Sequence, residues 1–231
     1  MILIAERLSQ EQDRHICRDL MLTITQDTSV EARVVAQNAL MHTWADVRVL
    51  GCQYAQKHRL PQLAPFLLPL LQESSTTVQQ AAILACGYSQ NPVVIDGFSD
   101  ASNDSSNSYQ RSGLRSLLGI VNRQTELQVI ASMARLGDEQ GRAELHKLSY
   151  STDAKTRYDV IVIMGELKDQ NMVGHLIRIG WTEREPYVRV AVLNALKQIV
   201  PGSQQPKMNV TDTAEKKMQV WSDWFDNQQT D

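Results

Sequence analysis

The chain has 231 residues, of which 42% are hydrophobic, 21% are charged and 6% are aromatic. This composition is typical of a globular protein with a buried core, and the low content of Gly and Pro favours helices over a sheet sandwich. The formal net charge of −3 disfavours a nucleic-acid groove, which needs clustered Lys and Arg, and three scattered cysteines make a disulfide framework a poor explanation of the fold.

The N-terminus begins with a short apolar run, Met1 to Ala5, which is followed by charged residues. This run is too short for a signal peptide, and no basic segment precedes it. Charged or amide side chains interrupt every later apolar run before it reaches the length of a membrane span. We therefore expect a cytoplasmic protein without a membrane span. A helix over about residues 8–25 is predicted to seal the N-terminal end of the fold.

One nine-residue pattern recurs along the chain at intervals of roughly thirty residues. Its copies begin at Val47, Val78, Thr125, Thr156 and Val188. Within each copy, the first, fifth, eighth and twelfth positions fall on one helical face. Each copy therefore predicts a helix with one buried stripe.

A shorter amphipathic segment precedes most copies, so that the two together predict a helical hairpin. These segments cover residues 61–72, 109–121, 139–149 and 170–180. The longer interval between the second and third copies contains a polar loop insertion near 92–108, rich in Ser, Asn and Asp. We therefore predict a single all-α domain over residues 1–231. Its expected architecture is a right-handed α-α superhelix, or α-solenoid, of about five helical hairpins with a capping helix at each end.

Two turns between the predicted helices carry similar motifs. The first is Leu136-Gly137-Asp138, followed by Arg142-Ala143-Glu144-Leu145 and then by Arg157; the second is Leu167-Lys168-Asp169, followed by Val188-Arg189. Together they resemble the HEAT repeat family, and especially its variant related to the phycobilisome lyases, over about residues 46–200. The first two copies depart from this pattern, because Gln79 replaces the arginine and Leu-Gly-Asp is missing. The resemblance implies HEAT-like hairpins and says little about function, because this fold serves many roles.

Three arginines occupy the second position of their copies, and a carboxylate lies just upstream of each: Arg48, Arg157 and Arg189. One interpretation makes them a cationic ladder that orients an acidic partner. The other, which the family resemblance implies, is a ladder between repeats in which each arginine pairs with a turn carboxylate. Ion pairs of this kind are common on protein surfaces and are individually weak.

The sequence contains no motif typical of catalysis or metal binding. It has no Gly-x-Ser-x-Gly elbow, no Gly-rich phosphate loop and no His-Glu-x-x-His helix. His15 and Cys17 would point to different sides of a helix, and His146 and His175 occupy unlike positions in the repeat. We therefore expect that the chain is not an enzyme and has no catalytic residues, no cofactor and no metal site.

The third position of the repeat is more informative, because it points away from the face centred on positions one and five and should be polar. The residues found there are Val49, Gln80, Leu127, Tyr158 and Val190, and those at position six are Cys52, Ile83, Ile130, Ile161 and Leu193. Either an apolar groove on the concave side receives a partner helix or segment, or neighbouring repeats, the long loop or the tail cover these side chains. The groove predicts that Leu127, Tyr158 and Val190 are exposed in the free protein.

The C-terminal segment predicts an amphipathic helix near 212–228. Asp212, with Glu215 three residues later, is typical of a capping box. One stripe of the helix carries Ala214, Met218, Trp221 and Phe225, with Trp224 beside it. Aromatic residues anchor protein interfaces, but they also seal the end of a solenoid, and both interpretations remain open.

These patterns predict a non-catalytic adaptor or scaffold subunit that holds another protein on an apolar concave face. The residues expected to contact this partner are Leu127, Tyr158, Ile161, Val190, Leu193, Arg157, Arg189, Trp221 and Trp224. Two alternatives stay open. The resemblance to the phycobilisome lyases implies an enzyme that handles a bilin or related tetrapyrrole. A HEAT-like DNA-binding or DNA-repair protein would need a basic concave surface, which the charge disfavours.

Overall fold

The computed structural model describes residues 2–89 and 108–228, and in these two ranges the chain forms helices and no strand. The predicted all-α class is therefore confirmed. The polar insertion near 92–108 lies outside the described residues, apart from Ser108, at which a helix begins. Within the same two ranges, every helix is too short or too polar to cross a bilayer.

The chain divides into two compact units, Met1–Arg142 and Ala143–Asp231, which we call the first unit and the second unit. The helices of the first unit are α1 (Ile2–Gln10), α2 (Arg14–Thr23), α3 (Val30–Leu40), α4 (Ala45–His58), α5 (Ala64–Leu67), α6 (Thr76–Tyr88), α7 (Ser108–Arg115) and α8 (Arg123–Arg135). Helix α9 (Glu139–Leu148) contains the boundary between the units. In the first unit α1 packs on α3, and α2, α4, α6 and α8 pack side by side in that order, as expected of stacked helical hairpins.

The N-terminal region contains three helices where the sequence predicts one capping helix over 8–25. The carboxylate of Asp13 accepts hydrogen bonds from the backbone N–H groups of His15 (2.8 Å) and Ile16 (3.3 Å) and so starts α2 as a separate helix. Helix α3 is missing from the prediction. It begins where the Ser29 hydroxyl accepts a hydrogen bond from the Ala32 N–H at 3.1 Å.

Prolines interrupt the predicted helix over 61–72. The segment folds as a 3-10 turn at Pro61–Leu63, the short helix α5, and a second 3-10 turn at Pro69–Gln72. Proline has no backbone N–H and therefore cannot donate the hydrogen bond that a continuous helix requires. The three short pieces still bury Leu67 and Leu71 against the core of the first unit.

Gly137 and Asp138 each have a structural role in the Leu-Gly-Asp turn between α8 and α9. Gly137 adopts a φ of +74°, a left-handed conformation that favours glycine. One oxygen of Asp138 accepts a hydrogen bond from the Gly141 N–H (3.1 Å), and the other pairs with Arg115 (2.6 Å). The motif therefore ends one helix, caps the next and ties the turn to α7.

The second unit contains α10 (Ala154–Leu167), α11 (Val173–Thr182), α12 (Pro186–Ile199) and α13 (Ala214–Gln228). Helices α10 and α12 pack side by side, α11 packs on α12, and α13 packs on both α11 and α12. The α10–α12 approach is close, because a Cβ on Gly165 would lie 2.9 Å from the Cα of Ala195. A side chain at position 165 would separate the two helices.

Helix α13 lies where the C-terminal amphipathic helix is predicted, but a different residue caps it. The Thr213 hydroxyl accepts a hydrogen bond from the Lys216 N–H (3.3 Å), whereas the Asp212 carboxylate accepts one from the Asn209 N–H (3.1 Å). The expected Asp212 capping box is therefore wrong, and the helix begins at Ala214.

Candidate partner-binding surface

Position six of the repeat is buried in every copy. Its residues are Cys52, Ile83, Ile130, Ile161 and Leu193, and each is at most 6% exposed. Neighbouring helices therefore cover this column, as the packing interpretation expects. Ile161 and Leu193 consequently belong to the core of the second unit, and their assignment to a partner-binding surface is corrected.

Position three differs between the two units. Val49, Gln80 and Leu127 are half-buried in the first unit, whereas Tyr158 and Val190 are 39% and 48% exposed in the second. The expected exposure is therefore found for Tyr158 and Val190 and is wrong for Leu127. Helix α8, which carries Leu127, packs against both α6 and α7.

Three exposed residues of the second unit form a group that the sequence pattern only partly predicted. The rings of Tyr158 on α10 and Tyr187 on α12 lie 5.8 Å apart, and Tyr187 is 46% exposed. Val190 follows Tyr187 at i+3 and so shares its face of α12. We call these three residues the tyrosine patch. Tyr187 was not predicted because it directly precedes the first position of its copy, although its i+3 spacing from Val190 would have been a signal.

Arg157 forms a tether between two turns of the second unit. Its guanidinium makes two hydrogen bonds to the Glu183 carboxylate (Nε–Oε2 2.7 Å and Nη2–Oε1 2.8 Å) and donates to the carbonyl oxygens of Ser151 and Thr152. The Glu183 side chain is only 3% exposed. The hydrogen bonds from Arg157 are the main reason why the pKa of Glu183 is lowered.

The other two arginines repeat this arrangement. Arg189 pairs with Glu215 and donates to the carbonyl oxygen of Glu183, and Arg48 pairs with Glu73 and donates to carbonyl oxygens of the preceding turn. The carboxylate partners lie 26 residues downstream of Arg157 and of Arg189, not just upstream of them. Arg157 and Arg189 therefore tie successive turns of their own chain, and the expectation that they orient a partner is corrected.

The C-terminal tryptophans serve mainly to attach α13. Trp221 is fully buried, and the ring of Trp224 meets it edge to face at 5.3 Å and is half-buried. Two glycines of α11 make room for side chains of α13. A Cβ on Gly174 would lie 2.8 Å from the Phe225 ring, and a Cβ on Gly180 would lie 2.4 Å from the Met218 side chain. Trp221 thus belongs to the core, which favours the capping interpretation and corrects its assignment as a contact residue.

A cluster of polar aromatic residues in the second unit was also missed. The His175 ring stacks on His146 (centroids 3.9 Å apart), and its Nε2 lies 2.9 Å from the Ser149 hydroxyl oxygen. Ser149 itself donates to the His146 carbonyl oxygen at 2.6 Å, so it accepts its hydrogen bond from a neutral His175. Burial, followed by the neighbouring His146, lowers the pKa of His175 to about 4. This arrangement does not activate the serine, because the histidine donates to it.

Within residues 2–89 and 108–228, no group of three or more His, Cys, Asp or Glu side chains could hold a metal ion. The three cysteines are free thiols and are buried. Burial raises the pKa of Cys52 to about 12 and also raises that of Cys86. Neutral, buried thiols of this kind are poor nucleophiles.

No family model and no curated protein matches the chain. Among solved structures, the chain is similar to human deoxyhypusine hydroxylase in complex with glycerol, at a TM-score of 0.35 and 15% identity, over 97% of this chain and 95% of that one. That protein is an enzyme, and this finding contradicts our expectation that the chain is not one. We therefore withdraw that expectation, although a likeness of this strength assigns no activity. The adaptor, bilin-lyase and DNA-repair hypotheses and the cytoplasmic location stay predictions.

Proposed function

We propose that the protein binds another protein and holds one of its helices or extended segments against the tyrosine patch. The observation that supports this proposal is the pair of exposed rings, Tyr158 and Tyr187, on adjacent helices at a centroid distance of 5.8 Å. Tyrosine contributes a large, stiff apolar surface together with a hydroxyl group, and it is enriched at the energetic centres of protein interfaces.

The surroundings of the patch also resemble a protein interface. On α10 the exposed Lys155 precedes Tyr158 by three residues, and on α12 the exposed Asn194 follows Val190 by four, so each polar side chain neighbours a residue of the patch. An apolar centre with a polar rim is the usual anatomy of a surface that binds a protein. The Arg157 tether joins the turns before α10 and α12, and it therefore helps to hold the two tyrosines at a constant separation.

An affinity pull-down from native lysate with matched variants tests this proposal. Val190→Asp places a charge in the patch, and Val210→Asp makes the same change at a site that is 93% exposed in the same unit. We expect a partner that is retained by the wild type and by Val210→Asp and is lost by Val190→Asp. Tyr158→Ala should weaken the retention as well, and circular dichroism verifies that each variant is folded.

The proposal fails if the folded Val190→Asp and Tyr158→Ala variants recover the same proteins as the wild type. It also fails if Val210→Asp abolishes retention equally, because the loss would then follow from added negative charge and not from the patch. Either result would make Tyr158, Tyr187 and Val190 ordinary exposed residues, which are common singly on protein surfaces.

A further inference from the structure

A groove of about 360 Å³ lies in the first unit, far in sequence from the tyrosine patch. It is lined by Gln53, Gln56, Lys57, Arg59 and Tyr88, which belong to α4, its C-terminal turn and the end of α6. Every one of these side chains can donate a hydrogen bond, and none is acidic. The chain as a whole carries a net charge of −3, so the groove is locally of the opposite sign.

Arg59 stands in an unusual backbone conformation at the edge of this groove. Its φ is +50°, and the turn that ends α4 is closed by hydrogen bonds from Leu60 to Ala55 (3.2 Å) and from Arg59 to Gln56 (3.4 Å). The turn at the end of α8 has the same left-handed form, and Gly137 occupies the position of Arg59 there. A glycine at position 59 would therefore fit this backbone conformation without strain.

Tyr88 and Lys57, two other residues of the groove, make contacts within the first unit. The Arg135 guanidinium lies over the Tyr88 ring at 4.6 Å from its centroid, which places a third cation beside the groove. The Lys57 ammonium donates to the Thr25 carbonyl oxygen at 3.0 Å. An ammonium has three N–H donors, so Lys57 can serve a second acceptor at the same time.

We propose that this groove binds an extended acidic segment of another protein. Lys57 and Arg59 donate charge-assisted hydrogen bonds to its carboxylates. Gln53 and Gln56 form hydrogen bonds with its backbone amides, and the Tyr88 ring packs against the apolar parts of its side chains. Two lining cations suit a short acidic peptide, whereas nucleic acid is bound by longer runs of Lys and Arg along the phosphate backbone. The groove is a separate site, and its role does not depend on the tyrosine patch.

Fluorescence anisotropy with a labelled ten-residue peptide of Asp and Glu tests the groove at low ionic strength. The wild type should bind it saturably, and the Gln/Asn peptide of the same length should not bind. Arg59→Gly should weaken binding by roughly tenfold or more, because a charge-assisted hydrogen bond is lost. The variant removes the guanidinium and leaves a residue that prefers this φ, so its melting temperature should equal or exceed that of the wild type.

Lys168→Gly is the matched control, because Lys168 has a φ of +53° at the end of α10 in the second unit. This variant should keep the wild-type affinity for the acidic peptide. The inference is overturned if the wild type does not bind the peptide, or if folded Arg59→Gly binds it as tightly as the wild type. Tighter binding of a labelled ten-nucleotide single strand of DNA than of the peptide would also overturn it.

Discussion

The Arg157–Glu183 tether should be the strongest single polar contribution to the second unit, and Arg157→Met tests this. The substitution keeps an apolar stem of similar length and removes the guanidinium. Glu183, whose side chain is only 3% exposed beside Arg157, then keeps the backbone N–H donors of Arg184 and Glu185, each at 2.9 Å. The carbonyl oxygens of Ser151 and Thr152 lose their donor as well.

The burial of the Glu183 carboxylate determines how much the substitution should lower the free energy of unfolding. Removing one partner of a buried ion pair leaves an uncompensated charge and costs about 3–5 kcal/mol. The Arg189–Glu215 pair is the internal comparison, because the Glu215 side chain is 66% exposed and solvent screens it. That pair should contribute less than about 1 kcal/mol.

Urea denaturation at pH 7 measures both contributions through a double-mutant cycle for each pair. One cycle combines Arg157→Met with Glu183→Gln, and the other combines Arg189→Met with Glu215→Gln. Tryptophan fluorescence reports mainly on the second unit, which contains Trp181, Trp221 and Trp224 out of four tryptophans. We expect a coupling free energy of about 3 kcal/mol for the buried pair and less than about 1 kcal/mol for the exposed one.

A coupling free energy below about 1 kcal/mol for Arg157 and Glu183 would refute this reasoning. So would equal coupling in the two cycles, because the two pairs differ chiefly in the burial of the carboxylate. In that case the energy of the tether would come from the hydrogen bonds of the arginine to the preceding turn.

Three further predictions concern titration, backbone strain and thiol reactivity. The pKa of His175 is about 4 in the folded protein, against an ordinary 6.5, so the unfolded chain binds a proton more readily between these pH values. The free energy of unfolding should therefore be highest above pH 6.5 and fall by about 3 kcal/mol as the pH falls towards 4. A urea midpoint that does not change with pH over this range would contradict the prediction. Lys168→Gly should raise the free energy of unfolding by about 1 kcal/mol, whereas Gly137→Lys should lower it, and thermal melts that show the opposite order would exclude strain at these turns. The buried thiols of Cys52 and Cys86 should react with a disulfide reagent at pH 8 only at the rate of unfolding, and fast labelling of the native protein would contradict their burial.

The five repeat copies could be located from the sequence because each keeps apolar residues at helical spacing on one face. Helix α3 could not, because Val30 and Val34 are exposed while Val35 and Ala36 are buried, so apolar residues lie on both sides of the helix. The break between α1 and α2 was missed for a related reason: Asp13 caps the second helix inside a stretch whose composition favours one continuous helix.

Only some residues of the candidate surface could be predicted from the sequence. The apolar third position predicted the exposure of Tyr158 and Val190, but it made the same prediction for Leu127, which is half-buried. Tyr187 has no repeat position of its own, and only its ring contact with Tyr158 places it in the patch. The exposure of a side chain depends on which helices pack beside it, and the residues next to it in the sequence do not indicate which helices those are.

Sequence patterns were sufficient to locate the helices at the repeat copies and the C-terminal amphipathic helix. These features depend on residues within a few positions of one another, so a local pattern predicts them. Helix packing, by contrast, makes Ile161 and Trp221 core residues and brings Arg157 to a carboxylate 26 residues downstream. Burial and ion pairing depend on distances between side chains of separate helices, and those distances are set when the helices pack.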